Sequence, residues 1–166
     1  MHFRSTMPNW CSNHITISHD DPAMIERLSN ARKAPLQEFI PCAHDPATSE
    51  DWYNWRVNNW GTKWEVELQD VTITDDGKTL SASFSSAWSP PIEAYYAMQK
   101  QGFKIHALYS EQGMAFCGIF DDEGDHEFAI PDFANESWAD ELPDELADYL
   151  QSDYESWLED NENENA

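Results

Sequence analysis

Between Asp144 and Asp160 the chain sets seven carboxylates, at positions 144, 145, 148, 153, 155, 159 and 160. On one helix they would cover about 24 Å, or one negative charge every ~3.5 Å. Phosphates recur about every 3.4 Å along one DNA strand. Carboxylates at that density offer partners to Lys and Arg of a nucleic-acid-binding protein. Most acid runs are solvated faces. This one is interleaved with Phe128, Phe133, Trp138, Tyr149, Tyr154 and Trp157, which a solvated tail does not need. A folded, docked anionic surface is therefore expected. Its candidate contact residues are Asp121, Asp122, Glu123, Asp125, Asp140, Glu141, Asp144, Glu145, Asp148, Glu155 and Glu159.

A second constellation is the segment DWYNWRVNNWGTKWE (51–65), which holds four Trp. Trp52, Trp55, Trp60 and Trp64 with Arg56 and Lys63 could form an aromatic groove for a small anion or a peptide carboxylate, the cations stacking on the rings or pairing with Glu65. Large aromatics mostly serve burial, so the same Trp residues, joined by Trp10 and Trp88, are also candidate core. Cys11 and His14 suggest a nucleophile and its base. In a strand, however, residues three apart point to opposite faces. Cys117 lies within a strand-like run and reads as buried and inert. His19, His44, His106 and His126 lack the spacings that favour zinc. DDEGD (121–125) opens like a calcium loop, but its Gly falls fourth and no distal Glu closes it, so it reads as a hairpin turn with weak divalent affinity at most. No phosphate-binding, serine-hydrolase or metalloprotease motif is present. The reading is of a protein with no catalytic residues, no metal and no cofactor.

The 166 residues carry 9 Lys plus Arg against 32 Asp plus Glu, a formal net charge of −23. Nucleic acid is held mainly by cations on phosphates and anionic membranes attract basic segments, so both are excluded as direct partners. The charge is unevenly divided. Residues 1–104 hold 13 acids and 9 bases, whereas residues 105–166 hold 19 acids and neither Lys nor Arg. An aromatic content of 13% argues for a folded chain despite this charge. No run approaches 18 apolar residues, no apolar secretory segment opens the chain, and three widely spaced Cys fit reduced thiols. A cytoplasmic location is expected. Met7, after MHFRST, is a second plausible start.

These residues need elements to position them. HITIS (14–18) alternates like a strand. Asp20-Asp21-Pro22 caps a helix that ends near Lys33. A short helix runs from about Ser49 to Asn59, closed by Gly61. EVELQDVTIT (65–74) and TLSASFSS (79–86) form a hairpin around DDGK, with a bulge near Gln69-Asp70 because the apolar parity changes there. Pro90-Pro91 starts a helix with Ile92, Tyr95, Tyr96 and Met98 inward and Gly102 at its end. KIHALYS (104–110) and MAFCGIF (114–120) form a second hairpin. A last helix spans about 143–160, and NENENA frays. The order predicts an α+β fold, a ferredoxin-like sandwich whose antiparallel sheet carries helices on one face. The acidic helical extension would follow as a separate part. The expected division is 7–120 and 121–166, the first folding alone.

MPNWCSNHITI (7–17), DWYNWRVNNWGTKWE (51–65), SFSSAWSPP (83–91) and GFKIHALYSEQGMAFCGIF (102–120) together resemble the Api-ninety-two-like family of ferredoxin-like domains carried by tailed phages and plasmids. The resemblance spans roughly residues 7–121 and implies a ferredoxin-like fold and a mobile-element origin. The family has no general assigned activity, so it transfers no catalytic residue. Together with the acids, it leads to the expectation of a non-enzymatic phage or mobile-element protein with a DNA-mimicking surface. Such a protein would bind and inhibit a host nucleic-acid-binding protein, for example a restriction or CRISPR nuclease, in the bacterial cytosol. The alternative is an interaction protein that grips a peptide or small anion in the Trp-rich groove.

Overall fold

The computed structural model describes residues 8–45 and 47–164. The alternative start and the last two residues of NENENA lie outside that range. Six strands form one antiparallel sheet in the order β2-β3-β1-β4-β5-β6, with six α-helices. β1 (Trp10–Ser18) buries Cys11, Asn13, Ile15 and Ile17 on one face and leaves the intervening residues toward the other. This is the period of two that its β-branched run predicts. The α1 helix (Pro22–Asn30) starts where expected: the Asp21 carboxylate accepts from the Ala23 N–H, and Pro22 occupies the first turn. The short α2 (Pro35–Phe39) and α3 (Trp52–Trp60) follow. Gly61 closes α3 at φ 84°, a conformation natural to glycine.

β2 (Gln69–Ile73) pairs with β3 (Thr79–Ala87), and the expected bulge lies between Gln69 and Thr72 with Asp70 at φ 53°. The α4 helix (Ile92–Gln99) buries Ala94, Tyr95 and Met98. Tyr96 departs from expectation. It is 39% exposed and covers Phe120 from outside, ring centroids 5.2 Å apart. β4 (Lys104–Glu111) and β5 (Phe116–Asp121) form the second hairpin.

The sheet does not stop at residue 120. DDEGD makes the expected tight turn, and β6 (Gly124–Ala129) pairs with β5 from Asp121–Gly124 to Phe116–Ala129. A 3-10 turn at Trp138–Glu141 leads to α5 (Asp144–Tyr149) and α6 (Gln151–Glu164). The expected single helix over 143–160 is thus two helices. They meet at Leu150, whose ψ of −1° departs from the helical value near −42° while its side chain is fully buried. NENENA does not fray at its start, since α6 runs to Glu164.

Two cores result, one on each face of the sheet, because alternate side chains of a strand point to opposite sides. Ile15, Ile17, Leu80, Ala82, Phe84, Ile105, Ala107 and Phe120 meet α1, α2 and α4 on one face. Leu108, Cys117 and Ile119 meet Phe133, Trp138, Leu142, Leu146 and Leu150 on the other. Helices therefore cover both faces, not one. The charge boundary near 121 hid this. It marks a change of surface, whereas sheet pairing depends on backbone and apolar side chains.

Candidate functional site

The second core holds the acidic layer in place. Leu146 and Leu150 are fully buried, and in the same core Phe133, Trp138, Tyr154 and Trp157 pack on one another edge to face, tilted or stacked. Among the described residues, side-chain hydrogen bonds tie the layer to the sheet. His106 Nε2 lies 2.6 Å from Glu145 Oε1, and Ser12 Oγ lies 2.7 Å from the Tyr149 hydroxyl. Burial pushes the Tyr149 hydroxyl upward, so it stays neutral.

Of the eleven candidate acids, ten are exposed and Asp121 is half-buried. They do not lie on one helix. Asp121, Asp122 and Glu123 sit at the β5–β6 turn, Asp125 on β6 toward the opposite face of the sheet, Asp140 and Glu141 on the 3-10 turn, Asp144, Glu145 and Asp148 on α5, and Glu155 and Glu159 on α6. Asp153, counted in the linear array, is different. Its partial burial raises its pKa and removes it from the exposed set. Little offsets this negative surface. Among the described residues, Arg27–Glu38 at 2.7 Å is the only ion pair between a Lys or Arg and a carboxylate. The other two pairs use His106 and His126. α6 ends with Glu162 in its last turn and no basic residue there. Negative charge at a helix C-terminus opposes the macrodipole by about 0.3–1 kcal/mol per exposed group, so local helix stability does not account for it.

Asp121, Glu123 and His126 bring one ligand atom each within 4.8 Å of one another. Sequence spacing missed this grouping, because a hairpin, not a helix turn, brings the three together. Asp121 already accepts from the Glu123 N–H at 2.9 Å and contacts His126 Nε2 at 3.1 Å. Against a desolvation that acts upward, those contacts hold its carboxyl below the usual range.

The Trp-rich segment is divided between two places. Trp60 is fully buried, donates from Nε1 to the Ile40 carbonyl at 2.8 Å, and belongs to the first core, with Trp55 packed beside it. Arg56 lies between Trp52 and Trp60, 5.2 and 4.7 Å from their ring centroids. Lys63 belongs to the other place, with its ammonium 4.5 Å from Trp64 and 4.1 Å from Trp88. Trp10, next to Trp64, and Trp88 remain 46% and 45% exposed, so they are not core residues. Among the described residues Glu65 forms an ion pair with neither cation. Its carboxylate accepts from the N–H groups of Leu36, Gln37 and Val66 at 2.8–3.0 Å, while burial raises its pKa.

Cys11 and His14 lie on opposite faces of β1, and His14 contacts Ser83 Oγ at 3.2 Å. Burial pushes the Cys11 thiol up to about 12 and the Cys117 thiol up to about 11. Both therefore stay protonated near neutrality. Among the described residues no helix is long and apolar enough to cross a membrane. Comparison with protein-family models, curated proteins and solved structures gave no match.

Proposed function

We propose that this chain is a non-enzymatic, cytosolic protein of a phage or plasmid whose acidic layer imitates the charge of DNA. It would bind and inhibit a host nucleic-acid-binding protein, such as a nuclease of a defence system. The observation that carries this reading is the ordered layer itself. A dedicated apolar core holds α5 and α6 against the sheet while Asp144, Glu145, Asp148, Glu155 and Glu159 face solvent and, among the described residues, pair with no Lys or Arg. A protein that needed acid only for solubility would not require that core. Fixed carboxylates replace phosphates as partners for a target's cations, the −23 field speeds encounter, and salt weakens it. The order β2-β3-β1-β4, with helical crossovers from β1 to β2 and from β3 to β4, supports a ferredoxin-like reading of the first four strands. It also agrees with the resemblance to the mobile-element family.

The test is affinity capture from a bacterial lysate at low salt, followed by elution with duplex DNA. A captured protein that DNA releases, and that the Asp144→Asn, Glu145→Gln, Asp148→Asn, Glu155→Gln, Glu159→Gln variant fails to hold, is the expected result. Partners that stay bound in excess DNA would sink the mimicry. The half-exposed Lys63, Trp64 and Trp88 stack favours the second reading, an interaction protein with an aromatic surface. In that case binding would survive both high salt and the fivefold change.

A further inference from the structure

On the sheet face opposite the acidic layer, β6 and the N-terminal end of α4 enclose a groove of about 250 Å³. Val57, Ile92 and Phe116 supply apolar wall, and Glu93, Asp125 and Glu127 supply carboxylates. Register explains why distant residues meet here. Asp125 lies opposite Phe120 and Glu127 opposite Gly118, so both acids share the face that carries Tyr109. The Tyr109 ring lies over Gly118, where a Cβ would clash with it, and its hydroxyl donates to Asp125 Oδ1 at 2.6 Å. That hydrogen bond fixes one carboxylate at the groove. Asp125, Glu127 and Glu93 are exposed, and none is in an ion pair among the described residues.

The groove is smaller than the ~300–1,000 Å³ of drug-sized sites, which suits one long side chain rather than a whole ligand. An Arg or Lys stem can lie on apolar surface while its head meets carboxylates. A second observation lies beside it. β6 is the edge strand, and no backbone hydrogen bond occupies its outer side among the described residues. An open edge accepts an extended segment through main-chain pairing, with neighbouring pockets reading alternate side chains.

We propose that this edge and groove form a docking site for an extended basic segment of a partner protein. The segment adds to β6 as a seventh strand and places an Arg or Lys side chain between Glu93, Asp125 and Glu127. This deepens the reading of a protein that binds cationic partners, on which it rests, and locates a contact away from α5 and α6.

The probe is the blocked peptide acetyl-Thr-Arg-Thr-Arg-Thr-Arg-Thr-amide, titrated calorimetrically into the full chain at low salt. One variant combines Glu93→Gln, Asp125→Asn and Glu127→Gln, and a second is the exposed Glu127→Lys alone. Their melting temperatures confirm folding. Expected is a loss of about tenfold or more in affinity for the triple variant, with a change within about threefold for the fivefold helix variant. Backbone N-methylation of the central residues of the peptide should weaken it comparably, because it removes strand pairing without altering charge. A triple variant or Glu127→Lys that binds like the parent overturns the site. So does affinity that falls simply with the number of charges removed in either variant, and so does an N-methylated peptide that binds equally well. If the site holds but duplex DNA fails to release the captured host protein, the DNA-mimic reading falls by itself.

Discussion

The two faces of the sheet are built from similar apolar residues and end in opposite surfaces. On the first face, α1, α2 and α4 cover a core of Ile, Leu and Phe, and the chain that supplies them is nearly neutral. On the second, Trp138, Leu142, Leu146 and Leu150 form a smaller core under a layer with neither Lys nor Arg. Apolar burial drives both, since it depends on area removed from water and is indifferent to the charge outside. A strongly anionic surface can therefore be held as firmly as a neutral one, provided it has its own core beneath it.

The largest effect should come from removing the second face. A truncation ending at Phe120 removes β6 and strips cover from Leu108, Cys117 and Ile119. It is expected to lose cooperative melting or to aggregate, as judged by calorimetry. A sharp, reversible melt from that fragment would show that the first face is self-sufficient.

Next, single cavities compare the two cores directly. Leu80→Ala on the first face and Leu146→Ala on the second each empty a site that is fully buried. Each should cost about 2–5 kcal/mol in denaturant unfolding. If Leu146→Ala costs under about 1 kcal/mol, the acidic layer is loosely docked and its ordered-surface role fails.

The fivefold neutralisation of Asp144, Glu145, Asp148, Glu155 and Glu159 should leave folding intact and weaken partner binding by roughly 1–5 kcal/mol, if exposed pairs of about 0.2–1 kcal/mol add. The salt dependence of binding should become shallower, which a salt series reads directly. Any one of these five changes alone should be nearly silent.

A smaller effect concerns pH. Glu65 beneath the first face and Asp153 in the second are carboxyls whose pKa is raised, chiefly by burial. Each binds its proton more tightly when folded. Its stabilising contribution is thus complete below the ordinary values of 4.5 and 3.8 and is lost as pH rises through the folded pKa. Asp121, held low, acts in the opposite sense. Self-repulsion at −23 adds to the first trend. Melting temperature should therefore rise as pH is lowered from neutrality toward the carboxylate range. Asp153→Asn should reduce that rise, and a melting temperature that falls over this range would contradict the assignment.

The sequence by itself determined the local elements whose cause is local. Asp21-Pro22 starts α1, Gly61 closes α3, the change of parity at Gln69-Asp70 makes the bulge, and the acid count of residues 105–166 defines an anionic surface. The exposed state of ten of the eleven candidate acids was legible too, because uncompensated carboxylates rarely leave water. Three things had to await tertiary structure. The split of Trp residues between core and surface depends on which side of the sheet end they reach, and aromatic residues carry both options in their chemistry. The sheet's passage through residue 121 depends on backbone pairing of β5 with β6, which charge does not report. The meeting of Glu93 with Asp125 and Glu127 depends on how α4 packs across a register of strands. No spacing within one segment encodes a contact made between three, so a site assembled by packing remains invisible until the chain is folded.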